Sequence, residues 1–405
     1  MLRETTGEFM TTDQGALQGT KNAFDDWRSI AAAIFMALVG YTVMVSVPVL
    51  STALVDKVGF SEVEVGRIWG NDMLGLAIGA VIAAFTVSRI NRRTLIMIGV
   101  IVGIAANALC IYIVTYEAVM LLRLLAGIGA GIITGVAVAT LGGTSRPVIA
   151  FNLELLGFAA STFLELRYLP KLSMNEIYIF FMILALLCAL LARFVPARPS
   201  NAKELEQQEK GEDHFQDWHV PKYMPILCLV AVCFTYINIG GYYTYIELAA
   251  HADGIADEWV AFALEWSAVF GVIGCVLAYL ATRFGLFKPL FISLIAMAAV
   301  VIMLGAGITN TNIIISLFGF MTFWTFIDVY QSAMLGHMDR SGSFVALLPA
   351  VQGFGQFIGP NIGASVIGAG LGYGAMFVVT GSMTLVAFLI YLGVMLVMRR
   401  HKAPN

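Results

Sequence analysis

The chain has 405 residues, 59% of them hydrophobic and only 12% charged, with a net charge of −3 and a mean hydropathy of +0.86. A soluble domain carries about 25% charged residues, so this composition cannot cover a water-exposed surface and excludes a soluble globular protein. The net charge says little about partners, because the charges are segregated along the chain; the expected surroundings are a lipid bilayer, with no nucleic-acid partner.

Residues 1–28 are polar and mixed in charge, without the short apolar core and small-residue cleavage site of a signal peptide. They are expected to be a retained, disordered tail. The first apolar run, near 30–50, is long enough for the ~30 Å hydrocarbon core. Windows of about 19 residues predict further spans near 64–86, 95–115, 119–141, 147–168, 176–195, 223–247, 258–282, 289–307, 312–336, 343–367 and 373–398. Between the sixth and seventh lies RPSNAKELEQQEKGEDHFQDWHVP, hydrophilic, Pro-flanked and rich in Glu and Gln, which reads as a linker. The expected organisation is a tail (1–28), a six-helix bundle (29–195), a linker (196–222), a second six-helix bundle (223–398) and a short C-terminal tail (399–405). The fold class is therefore an all-α integral membrane protein of twelve transmembrane helices.

Alternate loops differ sharply in Lys and Arg. From Lys21 onward, seventeen fall on the side of the termini and linker, against Lys57, Arg67, Arg167 and Lys171 on the other. The positive-inside rule then predicts both termini and the linker to be cytoplasmic in a multi-pass protein of a bacterial inner (plasma) membrane. All five cysteines (Cys110, Cys188, Cys228, Cys233 and Cys275) lie inside apolar runs, where they read as small hydrophobes rather than a disulfide framework or metal site.

The chain carries a weak internal repeat. Ser88-Arg89 after the second span aligns with Thr282-Arg283 after the eighth, and at nearly the same offset Gly157 aligns with Gly353. Two parallel six-helix repeats are an architecture found among transporters. The loop TVSRINRRTL resembles the cytoplasmic signature of the major facilitator superfamily. Arg89, Arg92 and Arg93 match it, whereas Ser88 stands where the family carries Asp, and Thr282 does so in the second copy. RLLAGIGAGIITG (123–135) is similar to the family's glycine-rich fourth helix, and GQFIGPNIG (355–363) is similar to a Gly-Pro signature that some members carry in helix 5. The resemblance implies two six-helix pseudo-repeats rocking about a central cavity lined by helices 1, 4, 7 and 10. It also implies gating loops at Ser88, Arg89, Arg92, Arg93, Thr282 and Arg283, whose inner lock is expected to be weak because both acids are replaced by hydroxyls.

Ionisable groups at membrane depth cost about 2.5–3.5 kcal/mol at a helix centre, so each one is a functional candidate. Asp72, Arg123, Glu154, Glu265 and Asp328 are the expected proton-coupling candidates. For each the alternative is a structural partner; for Arg123 that means snorkelling or pairing with Glu154 or Glu165. Trp69 lies one turn from Asp72. Trp324, Asp328 and Gln331 form one stripe of the tenth span; Asn238, Tyr242 and Tyr245 form one on the seventh beside Gly240-Gly241. Together with Tyr41, Gln352 and Gln356 these are the candidates for the substrate cavity, interhelical packing being the alternative. Glu247, at the outer end of the seventh span, is expected to be solvated.

Four or five acids against one arginine disfavour multiply anionic substrates, which recruit several cations. The aromatics favour a neutral or cationic, partly apolar molecule. The expected function is secondary active transport of a small organic solute by alternating access, coupled to protons, by a monomer without cofactor. Proton-driven efflux of amphiphilic compounds is the alternative, and the direction stays open. No Walker loop is present and the histidines fall in loops or at helix ends, so neither an ATP-driven pump nor an intramembrane enzyme is expected. The linker is too small for the extramembrane domain of a receptor.

Overall fold

In the computed structural model the described residues are 23–197, 223–338, 344 and 347–401. The expected N-terminal tail before residue 23, nearly all of the linker and the last residues of the chain lie outside them. Twelve long helices account for the architecture: α1 (Trp27–Ala53), α2 (Glu62–Thr86), α3 (Arg92–Tyr112), α4 (Tyr116–Gly142), α5 (Pro147–Tyr168), α6 (Met174–Leu191), α7 (Met224–Ala252), α8 (Asp257–Ala281), α9 (Phe287–Ile302), α10 (Asn310–Met338), α11 (Leu348–Gly368) and α12 (Gly372–His401). The spans anticipated from hydropathy coincide with these helices to within a few residues.

Helix starts follow local chemistry. Ser61–Glu64 and Ser173–Glu176 form reciprocal capping boxes at α2 and α6, satisfying backbone N–H groups that have no intrahelical partner. Asp26 and Asn91 cap α1 and α3. Eleven of the helices are individually long and apolar enough to cross a membrane. The twelfth, α11, contains Gln352, Gln356, Pro360 and Asn361 among its glycines, and it packs against both α2 and α7.

The helix pairs reveal the repeat more clearly than the sequence does. In the first half α2 packs on α4, α1 on α5 and α3 on α6; in the second, α8 packs on α10, α7 on α11 and α9 on α12. Adding six to each pair of the first set gives the second. The two bundles meet through α2–α11, α5–α8 and α1–α7. Phe85, Ile101, Leu121, Leu190, Ile292 and Leu389 are among the large apolar side chains left exposed, as expected of surfaces that face acyl chains rather than water.

Glycine permits the tightest of these contacts. A Cβ on Gly127 or Gly131 of α4 would collide with the carbonyl oxygens of Asp72 and Leu76 on α2, and one on Gly75 or Gly79 would collide with those of Leu124 and Ile128. Small residues four apart on both helices thus let the two backbones touch. Gly129 turns instead toward Gly99 and Gly103 of α3.

Candidate functional site

Residues 197 and 223 lie on what is here called the linker face; the opposite side is the far face. Polar contacts between the bundles are confined to the far-face half and the middle. Tyr243 donates to the Val45 carbonyl (3.1 Å), Tyr245 to that of Glu62 (3.2 Å), and Gln356 reaches Met44 Sδ (3.3 Å). Arg167 of α5 pairs with Glu265 of α8 at 2.6 Å, below an edge-to-face contact between Phe163 and Trp266. No hydrogen bond or ion pair joins the bundles in the linker-face half among the described residues. The far side is thus the side bridged by polar contacts between the bundles.

Between the bundles, at mid-depth, a polar cluster is assembled from five helices. Tyr236 of α7 and Gln352 of α11 both donate to Asp328 Oδ1 on α10, each at 2.8 Å. Trp324 Nε1, one turn from Asp328, lies 3.5 Å from the Tyr236 hydroxyl. Across the interface, Tyr41 of α1 lies within electrostatic reach of Asp328 and of Glu154 on α5. Tyr41, Glu154, Asp328 and Gln352 are half-buried. Both Asp328 donors converge on one oxygen, and its Oδ2 takes no donor among the described residues.

A second polar group is enclosed within the first bundle. Arg123 and Asp72, each 1% exposed, form an ion pair, with Arg123 Nε donating to Asp72 Oδ2 at 2.6 Å and Nη1 donating to Asn107 Oδ1 at 2.8 Å. Trp69, Tyr178 and Phe181 surround the guanidinium at 5.5–6.0 Å. A buried charge is tolerated when paired and hydrogen-bonded, and here both conditions hold. Beside the pair is a cavity of about 40 Å³ lined by Thr42, Asp72, Asn107, Arg123 and Phe181 among others, large enough for a few water molecules. Arg123 therefore takes Asp72, not Glu154 or Glu165, as its partner. Glu165 accepts from Ser46 Oγ at 2.7 Å.

The structure divides the remaining predicted residues. The stripe Asn238–Tyr242–Tyr245 does not face a central cavity. Asn238 donates to Thr384 at 2.9 Å and Tyr242 meets Ser316 at 2.9 Å while stacking on Phe320 at 4.1 Å, all inside the second bundle. Tyr245 is fully buried between α2 and α11. Gln331 likewise turns inward, donating to Thr235 at 2.8 Å. The physical reason is rotation: α7 presents Tyr236 and Tyr243 across the bundle interface, a face offset from the one chosen. Trp69 is fully buried against Arg123, and Gln356 bridges to α1. Glu265 belongs to the far-face ion pair. Glu247, expected to be solvated, is only 8% exposed with Oε2 unpartnered, because α7 is sheathed along its length, including by α1, α11 and α12.

The predicted gating loops stay within their own halves. Arg92 is buried with its guanidinium 4.5 Å above the Phe24 ring, and Arg93 Nε donates to the Val195 carbonyl at 3.0 Å. Ser88 and Arg89 are exposed. Thr282 bonds back to Tyr279, and Arg283 lies over Phe284. Sequence reasoning missed Tyr236, Asn107 and Arg167 as site partners. The recurrence of Tyr236, Tyr243 and Glu247 at i, i+7 and i+11 was the available signal for the interface face of α7. No cluster of His, Cys, Asp or Glu suited to a metal occurs among the described residues.

Comparison with known proteins agrees with this architecture. The family model of the Major Facilitator Superfamily matches residues 31–360. A mutant form of the nucleoside transporter NupG superposes with a TM-score of 0.70 at 12% identity, covering 90% of this chain and 99% of that one. A structure described as giving insight into substrate recognition in proton dependent oligopeptide transporters superposes with a TM-score of 0.70 at 13% identity, covering 93% and 99%. At such identities the likeness speaks to the fold alone. No curated protein sequence matches the chain. With a family model that spans most of its length and a twelve-helix, two-bundle fold, the chain belongs to the Major Facilitator Superfamily and is a multi-pass secondary transporter of a small solute, not an enzyme.

Proposed function

We propose that the protein moves a small organic solute across a bacterial inner membrane by alternating access, as a monomer, with transport coupled to protons through the mid-depth cluster around Asp328. On this reading the linker face and both termini are cytoplasmic, in keeping with the seventeen-to-four Lys and Arg asymmetry, and far-face closure corresponds to a pathway open inward.

The observation that carries the proposal is the Asp328 carboxylate. It sits between the bundles, is held on one oxygen by Tyr236 and Gln352, and keeps its other oxygen free of donors among the described residues. An intramembrane carboxylate that faces an interface is expensive unless it has a task. Its position beside Tyr41 and Glu154 of the opposite bundle makes its surroundings depend on how the bundles are rocked, which is what coupling requires.

A solute recovered by a thermal-stabilisation screen provides the assay. In liposomes holding the purified protein, an imposed pH gradient is expected to drive solute accumulation, and Asp328→Asn to abolish that accumulation while solute exchange without a gradient persists. Gradient-driven accumulation equal to wild type in Asp328→Asn removes the role assigned to this residue, and no response to a pH gradient in wild type removes proton coupling.

A further inference from the structure

We infer that the transported solute is an organic cation bearing at least one N–H group, a protonated amine with an apolar or aromatic body. This rests on the reading of the Asp328 cluster as the solute site and adds the chemical class that fits it.

The argument is an inventory of charge and of donors. Two carboxylates, one from each bundle, lie within electrostatic reach of the Tyr41 phenol: Asp328, and Glu154, one turn from Phe158, whose ring packs edge-to-face on Tyr41 at 6.1 Å. Neither is ion-paired among the described residues. Arg123 is locked to Asp72 and Asn107 inside the first bundle, and Arg167 is committed to Glu265 at the far face. An anionic solute would therefore meet two carboxylates and no guanidinium or ammonium from the described residues, contrary to what anion recognition needs.

The balance of donors and acceptors disfavours a second class. Gln352 Nε2 is committed to Asp328 Oδ1, Gln356 Nε2 to Met44 Sδ, and the Tyr236 hydroxyl to Asp328. Beside the Tyr41 hydroxyl, each glutamine amide keeps one further N–H. What is offered to a ligand is mostly acceptors: Asp328 Oδ2, both Glu154 oxygens and the side-chain carbonyls of the two glutamines. A polyhydroxylated neutral solute needs donors and acceptors in comparable number and would leave this acceptor surplus unmatched. An ammonium is donor-only and carries the opposite charge, and the half-buried ring of Tyr41 favours a cation further. N–H groups rather than a quaternary centre are favoured, because the carboxylate oxygens can then accept hydrogen bonds.

The test uses purified full-length protein and three probes that share an aryl-ethyl frame: phenethylamine, 2-phenylethanol and phenylacetate, with longer and bulkier alkyl- and arylamines as a size series. Ligand-dependent thermal stabilisation and calorimetry are expected to register amines and neither the alcohol nor the acid. Asp328→Asn should weaken amine binding at least about ten-fold and Glu154→Gln to a lesser degree. Asp328→Glu, which keeps the charge, should retain it and so separates loss of charge from misfolding. If the alcohol binds as well as the amine and both are lost in Asp328→Asn, the cation class is overturned while the solute site stands. If amines bind with unchanged affinity in Asp328→Asn and in Glu154→Gln, the cation is held elsewhere and both readings fall. If no amine in the series binds, the inference is wrong.

Discussion

The ion pair between Asp72 and Arg123 places two charges, each 1% exposed, inside a helical bundle. Removing one partner of such a pair strands the other, at a cost of about 3–5 kcal/mol, whereas replacing both with apolar groups of similar volume is often near neutral. Asp72→Ala is therefore expected to lower the thermal stability of the purified protein strongly, and Asp72→Leu with Arg123→Met to restore most of the loss. A double variant as unstable as the single one would show that Asn107 and the adjoining cavity, rather than mutual neutralisation, hold this region together. The depth of both residues was legible in the sequence, because a charge inside an apolar run is conspicuous whatever the fold. Their partnership was not, since 51 positions separate them and it depends on the close approach of α2 and α4. Glu247 illustrates the opposite limit. Its place near a helix end suggested water, and only the packing around α7 reveals that it is buried.

Among the elements, α2 and α4 depend most visibly on residue size. Gly127→Val would drive a side chain into the Asp72 carbonyl; overpacking of a fitted contact costs about 1–3 kcal/mol, and a backbone obstacle cannot rotate away. The expected outcome is a sharp fall in the monodisperse fraction on gel filtration. Gly142→Ala, where nothing lies within 4 Å, should change stability by less than about 0.5 kcal/mol. Equal behaviour of the two variants would refute the close-packing account. Helix positions were legible because hydropathy reports them directly, and the glycine spacing of α4 announced a close contact. The working face of α7 was not. That helix is buried nearly all round, so amphipathic contrast is lost, and with four tyrosines among Tyr236, Tyr242, Tyr243 and Tyr245 the stripe could be drawn on more than one face.

For the whole molecule, the asymmetry between the two faces rests on a short set of polar contacts between bundles on the far side. The Arg167–Glu265 pair is the ionic member, and Arg167 is half exposed, so its strength is limited by solvent. Arg167→Gln is expected to raise the far-side labelling rate of a Val63→Cys reporter by no more than about five-fold, and Glu265→Gln to do the same. No increase in either variant would leave the closure to the apolar and glycine contacts of α2 with α11. The two-fold organisation was faint in the residues, a few matches at one offset, yet plain in the pairing of helices six apart, since a fold conserves packing relations more faithfully than side chains. One feature of α11 reaches beyond the transport cycle. A segment bearing Gln352, Gln356, Asn361 and Pro360 falls short of the apolarity that lets the other helices partition into lipid alone. Its stay in the bilayer is underwritten by α7 within its own half and by α2 from the other. Biogenesis of the second half is thereby tied to the first: a helix made late in synthesis settles only where one made early is already waiting.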